Sequence, residues 1–145
     1  MQLAEARLAF QLVNFEAADR LTNTRQLFAH LVGGLPDGGT ESFYILSLNP
    51  NRRPICRARI ASGISVAAHI RVRDIILTAL LAEARMLACV RLQPKGTIRP
   101  TLADGRMLWN LNQATQLMDI QLLDYFIAGP NGEYYSCREH GELHE

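Results

Sequence analysis

The chain has 145 residues, 48% of them hydrophobic and 20% charged, the mix of an ordinary globular domain long enough to bury one core. No run approaches the roughly 18 apolar residues that a membrane helix needs, and the first seven residues mix acid and base without an apolar stretch of the secretory kind. The expected compartment is therefore the cytoplasm, with no membrane partner. The formal charge is +1, unevenly spread: residues 1–50 carry −2, residues 51–106 carry +8 and residues 107–145 carry −5.

Taken in chain order, residues 1–20 are an N-terminal extension. Thr22, Asn23 and Thr24 supply side-chain oxygens that cap a helix running to about residue 32, with Leu27, Phe28 and Leu31 on one side and Gly33-Gly34 as its stop. Residues 35–40, rich in Gly, Pro and Asp, form a loop. Residues 43–48 read as a buried strand, and Asn49-Pro50-Asn51 turns the chain into a second strand near residues 55–61. Gly63 then turns it into a run over residues 64–70, read with the strands. A helix follows from about residue 72 to 84, its apolar stripe made by Ile75, Ile76, Ala79 and Leu80.

The second half alternates in the same way. Residues 86–91 are a short apolar strand. Thr101 is placed to cap a helix over residues 102–118, with Met107, Leu108, Leu111, Ala114 and Met118 on one face. Residues 120–128 make a further strand, Gly129-Pro130-Asn131-Gly132 a turn, and residues 133–137 a last strand. Residues 138–145 are a polar tail, expected to fray. No repeat or linker divides the chain, so the expectation is one α/β domain over residues 1–145, a mixed sheet with helices packed on it.

Cys56, Cys89 and Cys137 are odd in number and widely spaced. They form no disulfide framework and no Cys-x-x-Cys pair, and the simplest reading is buried free thiols. The basic segment gathers Arg52, Arg53, Arg57 and Arg59 around one turn. Such a cluster fits an acidic protein surface or a nucleic acid. The competing account is that strand alternation puts Arg57 and Arg59 on one solvated face, and no aromatic residues interleave with them as base stacking asks.

The segment Arg91-Leu92-Gln93-Pro94-Lys95-Gly96-Thr97-Ile98-Arg99-Pro100-Thr101-Leu102-Ala103-Asp104 resembles the metal loop of the JAB/MPN (JAMM) metalloprotease superfamily, in particular its bacterial RadC branch. There the loop reads His-x-His-Pro-Ser-Gly, a Pro-containing turn and Ser-x-x-Asp. Three further stretches are similar to that branch. Residues 41–49 resemble the strand that opens with the catalytic glutamate. Residues 68–75 resemble the lead into the central helix, and residues 120–128 the strand after the loop, with Tyr125 where a His is usual.

The resemblance implies a cytidine-deaminase-like α/β architecture and a zinc held by two His and one Asp, with water in the fourth position, a Glu as general base and a Ser steadying the oxyanion. Carried over by position, Glu41 matches the base, Thr101 the hydroxyl donor and Asp104 the carboxylate ligand. Arg91 and Gln93 fall on the two histidine positions. Arginine has no lone pair to give, and an amide oxygen is a poor zinc ligand beside imidazole. No cofactor is therefore expected here, although active relatives hold zinc. His30 and His69 fall elsewhere, and His140 and His144 with Glu142 and Glu145 would make a weak adventitious metal patch.

Two placements follow for Arg91. It bridges Glu41 and Asp104, or it turns outward and joins the basic face. The cost of burying two carboxylates without a cation speaks for the first.

Two functions follow as well. One is a non-catalytic domain, a pseudoenzyme acting as a binding or scaffold module for a protein or nucleic acid met by the basic segment, with the DNA-repair or mobile-element association the family implies. The other is a metal-dependent hydrolase, isopeptidase-like or peptidase-like, with a non-standard site near Lys95 and Thr101. RadC proteins often carry a helix-hairpin-helix module for DNA, which residues 1–20 do not resemble. A homodimer is compatible with the sequence.

Overall fold

The computed structural model describes residues 10–12, 19–35, 39–63 and 65–143. The chain order is β1 (Phe10–Leu12), α1 (Thr24–Val32), β2 (Glu41–Leu48), β3 (Pro54–Gly63), α2 (Val66–His69), α3 (Val72–Leu81), β4 (Met86–Leu92), α4 (Leu102–Leu117), β5 (Gln121–Ala128) and β6 (Tyr134–Ser136). In β2 the last six residues are all buried, so neither face of this strand meets water and helices must cover both. Phe43 and Ile45 point into a cluster with Leu87, Cys89, Tyr125 and Ile127, facing Val66, Ile75, Met107 and Leu111 of α2, α3 and α4. The alternate residues Tyr44, Leu46 and Leu48 join Ala88, Val90 and Phe126 against Leu27, Phe28 and Leu31 of α1. Each large apolar side chain so buried contributes roughly 1.5–3 kcal/mol, which makes this three-layer arrangement the source of the fold's stability.

The six strands lie in the order β1-β3-β2-β4-β5-β6. Pairing is antiparallel except between β4 and β5. A parallel pair cannot be closed by a tight turn and needs a crossover; α4 is that crossover. The consequence for the site is positional. Because β2 runs against β4, Ser42 lies beside Leu92 and Phe43 beside Arg91, which sets the start of β2 next to the end of β4 and the loop into α4.

The structure is α/β with a mixed sheet and helices packed on it, as the sequence leads one to expect, but several elements differ. Residues 10–12, inside the extension, pair with β3 as an edge strand. The run after Gly63 is the short helix α2, entered through Ser65 at φ 54, because Glu41 supplies an acceptor for the Val66 N–H at 3.1 Å and Val66 and Ala67 are buried. Helix α3 stops at Leu81, short of residue 84. Glu83 takes φ 57, and the Ala84 N–H returns to Ala79 O at 2.9 Å, the backbone closure usually made by glycine.

The buried face of α4 is also rotated from the expected one. Asp104, Asn112 and Thr115 are buried with Met107, Leu108 and Leu111, whereas Ala114 is half-buried and Met118 exposed. Thr115 can be buried because its hydroxyl donates to Leu111 O at 2.8 Å. The tail is not frayed over its described part. The Glu142 N–H bonds Cys137 O, Tyr135 stacks on His140 at 3.9 Å, and Leu143 packs on the core. His144 and Glu145 lie outside the described residues. Among the described residues no helix is long and apolar enough to cross a membrane.

Candidate functional site

The loop from β4 into α4 folds around one arginine. Alternation along β4 sends Arg91 to the same side as Leu87 and Cys89, toward α4, and the side chain is only 2% exposed. Thr101 is the N-cap of α4, and it forms a reciprocal capping box with Asp104. The Asp104 N–H donates to Thr101 Oγ1 at 3.2 Å, and the Thr101 N–H and hydroxyl donate to Asp104 Oδ2 at 2.8 and 3.1 Å. That box satisfies two orphan N–H groups at the start of the helix and fixes the Asp104 carboxylate facing β4.

Arg91 meets it with its planar fork. Nε donates to Oδ1 at 2.9 Å and to Oδ2 at 3.1 Å, and Nη2 donates to Oδ2 at 2.7 Å. Such a two-point, charge-assisted pair is the strongest hydrogen bonding a carboxylate finds in a protein. Nη1 donates to Gln93 Oε1 at 3.0 Å and approaches Glu41 Oε1 at 3.5 Å. Of the two placements open to Arg91, the inward one is present.

Gln93 in turn organises the loop. Its amide nitrogen donates to Lys95 O at 2.7 Å and Thr97 O at 3.0 Å. Gly96 between them has φ 96, and a Cβ there would come within 3.0 Å of Gln93 Nε2. Glycine is required at this position by both conformation and space. Glu41 is the most open member of the group, with 26% of its side chain exposed, and its other oxygen caps α2 through Val66.

One member was not foreseen. Tyr125 is fully buried, and its hydroxyl donates to Asp104 Oδ1 at 2.7 Å. The departure from the usual His at this place in the strand was the available signal. Asp104 thereby accepts from Arg91, Tyr125 and Thr101, with both oxygens in use.

The electrostatics follow from these contacts. Burial alone would push the Asp104 carboxyl up; the Arg91 bonds, the Thr101 N–H and the Tyr125 hydroxyl outweigh it and hold the group below its ordinary value. Burial likewise opposes the charge on Arg91, and Asp104 and then Glu41 more than restore it. Burial first and Asp104 second drive the Tyr125 hydroxyl well above its ordinary value. Cys89, on the same face of β4, is pushed up by burial and then by Asp124. The Tyr125 and Cys89 side chains are both fully buried, and burial favours the neutral form of each. All three cysteines are free and buried.

The four arginines of the basic segment do not form one face. Arg57 donates to Leu31 O at 3.2 Å and Gly33 O at 2.7 Å, closing the C-terminal end of α1. Arg52 is held in the β2–β3 turn by a bond to Leu21 O at 2.7 Å. Arg53 is exposed. Arg59, also exposed, borders a cavity of about 300 Å³ that includes Phe28, Tyr44, Leu92, Gln93 and Pro94. His30 lies in the last turn of α1 and His69 ends α2; neither belongs to the Arg91 group.

The profile of the RadC-like JAB domain matches residues 20–142. The chain belongs to this family. It is 32% identical to a UPF0758 protein of Histophilus somni (strain 2336) over 132 residues, 91% of this chain and 59% of that protein. A UPF0758 protein of Vibrio parahaemolyticus serotype O3:K6 is 35% identical over 123 residues, 85% of this chain and 54% of that one. A UPF0758 protein of Chlorobaculum tepidum is 29% identical over 124 residues, 86% and 55% respectively. The chain spans a little over half the length of these relatives.

A zinc of the kind the resemblance implies does not fit the residues of this RadC-like JAB domain. The Arg91 cation lies against the carboxylate that would be a ligand, Gln93 spends its amide on Arg91 and the loop, and the Asp104 oxygens are already occupied. Among the described residues no three His, Cys, Asp or Glu side chains are grouped as a metal would need. Chemically, the arrangement presents a neutralised carboxylate and a rigid loop.

Proposed function

We propose that this RadC-like JAB domain acts by binding a partner and not by metal-assisted hydrolysis. The observation that carries the reading is the Arg91 guanidinium on both oxygens of Asp104: an internal cation lies against the carboxylate that a metal would use. A second charge is not needed there, and its entry would bring two cations together in a low-dielectric setting.

The surface adds a direction. Arg59 is exposed beside the cavity that Phe28, Tyr44 and Leu92 help line, on the sheet face away from Arg91. An acidic protein segment carrying an apolar side chain suits a cation over an aromatic bed, and this is the preferred partner class. The family's DNA-repair association makes nucleic acid the alternative, told apart by its salt dependence.

The test is metal content with a gain-of-site control. Purified without a metal-binding tag, the protein is expected to hold well under one equivalent of zinc, to keep its melting temperature in chelator and to cleave no isopeptide or peptide bond. The Arg91→His, Gln93→His double variant is expected to take up about one equivalent, since Asp104 stands ready as the carboxylate ligand. Stoichiometric zinc in the unmodified chain, or a chelator-induced fall of its melting temperature, would return it to the hydrolase class.

A further inference from the structure

Helix α4 keeps one face in the core and leaves large apolar side chains in water on the other. Leu102 is 84% exposed, Trp109 57% and Leu117 83%, and Met118 at the C-cap is exposed as well. With Arg106 and Gln113, also exposed, Leu102, Trp109 and Leu117 recur every three or four residues and form one stripe along the helix. Single exposed apolar residues are ordinary, whereas a contiguous stripe marks a contact surface.

The order of residues on the stripe says what fits it. Around the point between Trp109 and Asn110, Leu102 stands as far out as Leu117, Arg106 as far as Gln113, and Gly105 as far as Ala114. A second α4 laid antiparallel on the first therefore meets it in register. Leu102 of one copy faces Leu117 of the other, Arg106 faces the acceptor oxygen of Gln113, and the two Trp109 rings meet at the twofold axis. Such a contact uses the same patch on both copies and closes on itself. The charges agree. The positive end of each helix, with exposed Arg99 just ahead of it, lies over the negative end of the other, where Asp119 is exposed, and this happens twice.

Gly105 supplies the room. A Cβ there would meet nothing within 4 Å, and the residue is not in left-handed backbone. Neither conformation nor packing among the described residues asks for glycine at a helix position that alanine would favour. Its effect is a groove of about 450 Å³ bordered by Thr101, Leu102, Arg106, Trp109 and Asn110, open to a large side chain from outside.

We propose that the outer face of α4 docks on the same face of a second copy of this chain, antiparallel, with each Trp109 ring seated over the Gly105 groove of the other copy. The surface lies across the sheet from the cavity beside Arg59, so pairing leaves that cavity open and does not depend on what enters it.

The experiment uses the whole chain from low micromolar to near millimolar concentration, with sedimentation equilibrium for mass and the emission of Trp109, the one tryptophan of the sequence. The mass is expected to rise from one chain to two and stop, while the emission shifts to the blue in step and becomes harder to quench with acrylamide. Gly105→Gln and Trp109→Gln should each raise the dissociation constant about tenfold or more, as loss of a central contact does. Gly105→Gln touches nothing inside the chain, so its melting temperature when dilute should hold or rise. Arg99→Glu should weaken pairing and Asp119→Lys added to it should restore it, which only opposed ends explain. A single-chain mass at every concentration would overturn the proposal. So would pairing that both Gly105→Gln and Trp109→Gln leave unchanged, or a blue emission indifferent to dilution, the sign that another segment of the same chain covers the stripe.

Discussion

Arg91 and Asp104 show how one substitution changes the chemistry of a site while keeping its geometry. Asp104 is set by the helix cap whatever faces it, so a cation at position 91 finds the carboxylate in place. Arg91→Ala is expected to destabilise the chain by about 2–4 kcal/mol, since removing one partner strands a buried charge; urea denaturation at neutral pH measures it. The bonds from Tyr125 and Thr101 keep that loss toward the lower end. The pH dependence has a definite sign. Asp104 is held below its ordinary value, so its contribution is present above the unfolded value of about 3.9 and is lost as pH falls through the lower folded value. Asp124, raised by burial, acts in the opposite sense, its contribution being lost as pH rises. Melting curves between neutral pH and about pH 2 are expected to fall off below about pH 4 in the unmodified chain. Asp104→Asn should be less stable at neutral pH and flatter in acid; an unchanged acid limb would count against the ion pair as the main acid-sensitive contact.

At the scale of elements, two side chains hold backbone segments that are distant in sequence. Glu41 caps α2 from 25 residues away, a role apart from the base position that the family resemblance assigns it. Glu41→Ala should cost about 1 kcal/mol, in the range of a lost helix cap, while Glu41→Gln, which keeps an acceptor oxygen, should lose only part of that. Comparing the two denaturation midpoints decides it, and equal losses would argue that the Arg91 contact is what matters. Gln93 clamps the loop through Lys95 and Thr97. Gly96→Ala is expected to destabilise by about 1–2 kcal/mol, because alanine is strained at positive φ and its Cβ would press on the Gln93 amide. Faster amide exchange confined to residues 93–100 is the accompanying sign.

For the whole molecule, the sheet is the organiser. Burying β2 on both faces requires α1 on one side and α2, α3 and α4 on the other, and this fixes the ends of β2 and β4 side by side. The same construction separates the charges. The +8 of residues 51–106 reads as one surface along the chain, yet Arg57 is drawn in to close α1, Arg59 opens on one cavity and Arg52 on another, while Arg91 is internal.

The sequence by itself determined what depends on neighbours within a few turns: a cap for α1 among Thr22, Asn23 and Thr24, the Thr101 cap of α4, the buried apolar strand of residues 43–48, and the absence of imidazoles at positions 91 and 93. These are short-range matters of hydrogen bonding and periodicity. It also supplied the family resemblance, carried by residues in order along the chain. Tertiary structure alone decided that residues 66–69 are helical, because the acceptor for Val66 comes from β2. It brought Tyr125 onto Asp104, since β5 reaches that place only by pairing in parallel with β4. It rotated the buried face of α4 toward Asp104 and Thr115, and it turned Arg91 inward and not toward the solvent. A buried charge goes where its partners are, and those partners lie 13 and 50 residues away, joined only when the sheet forms.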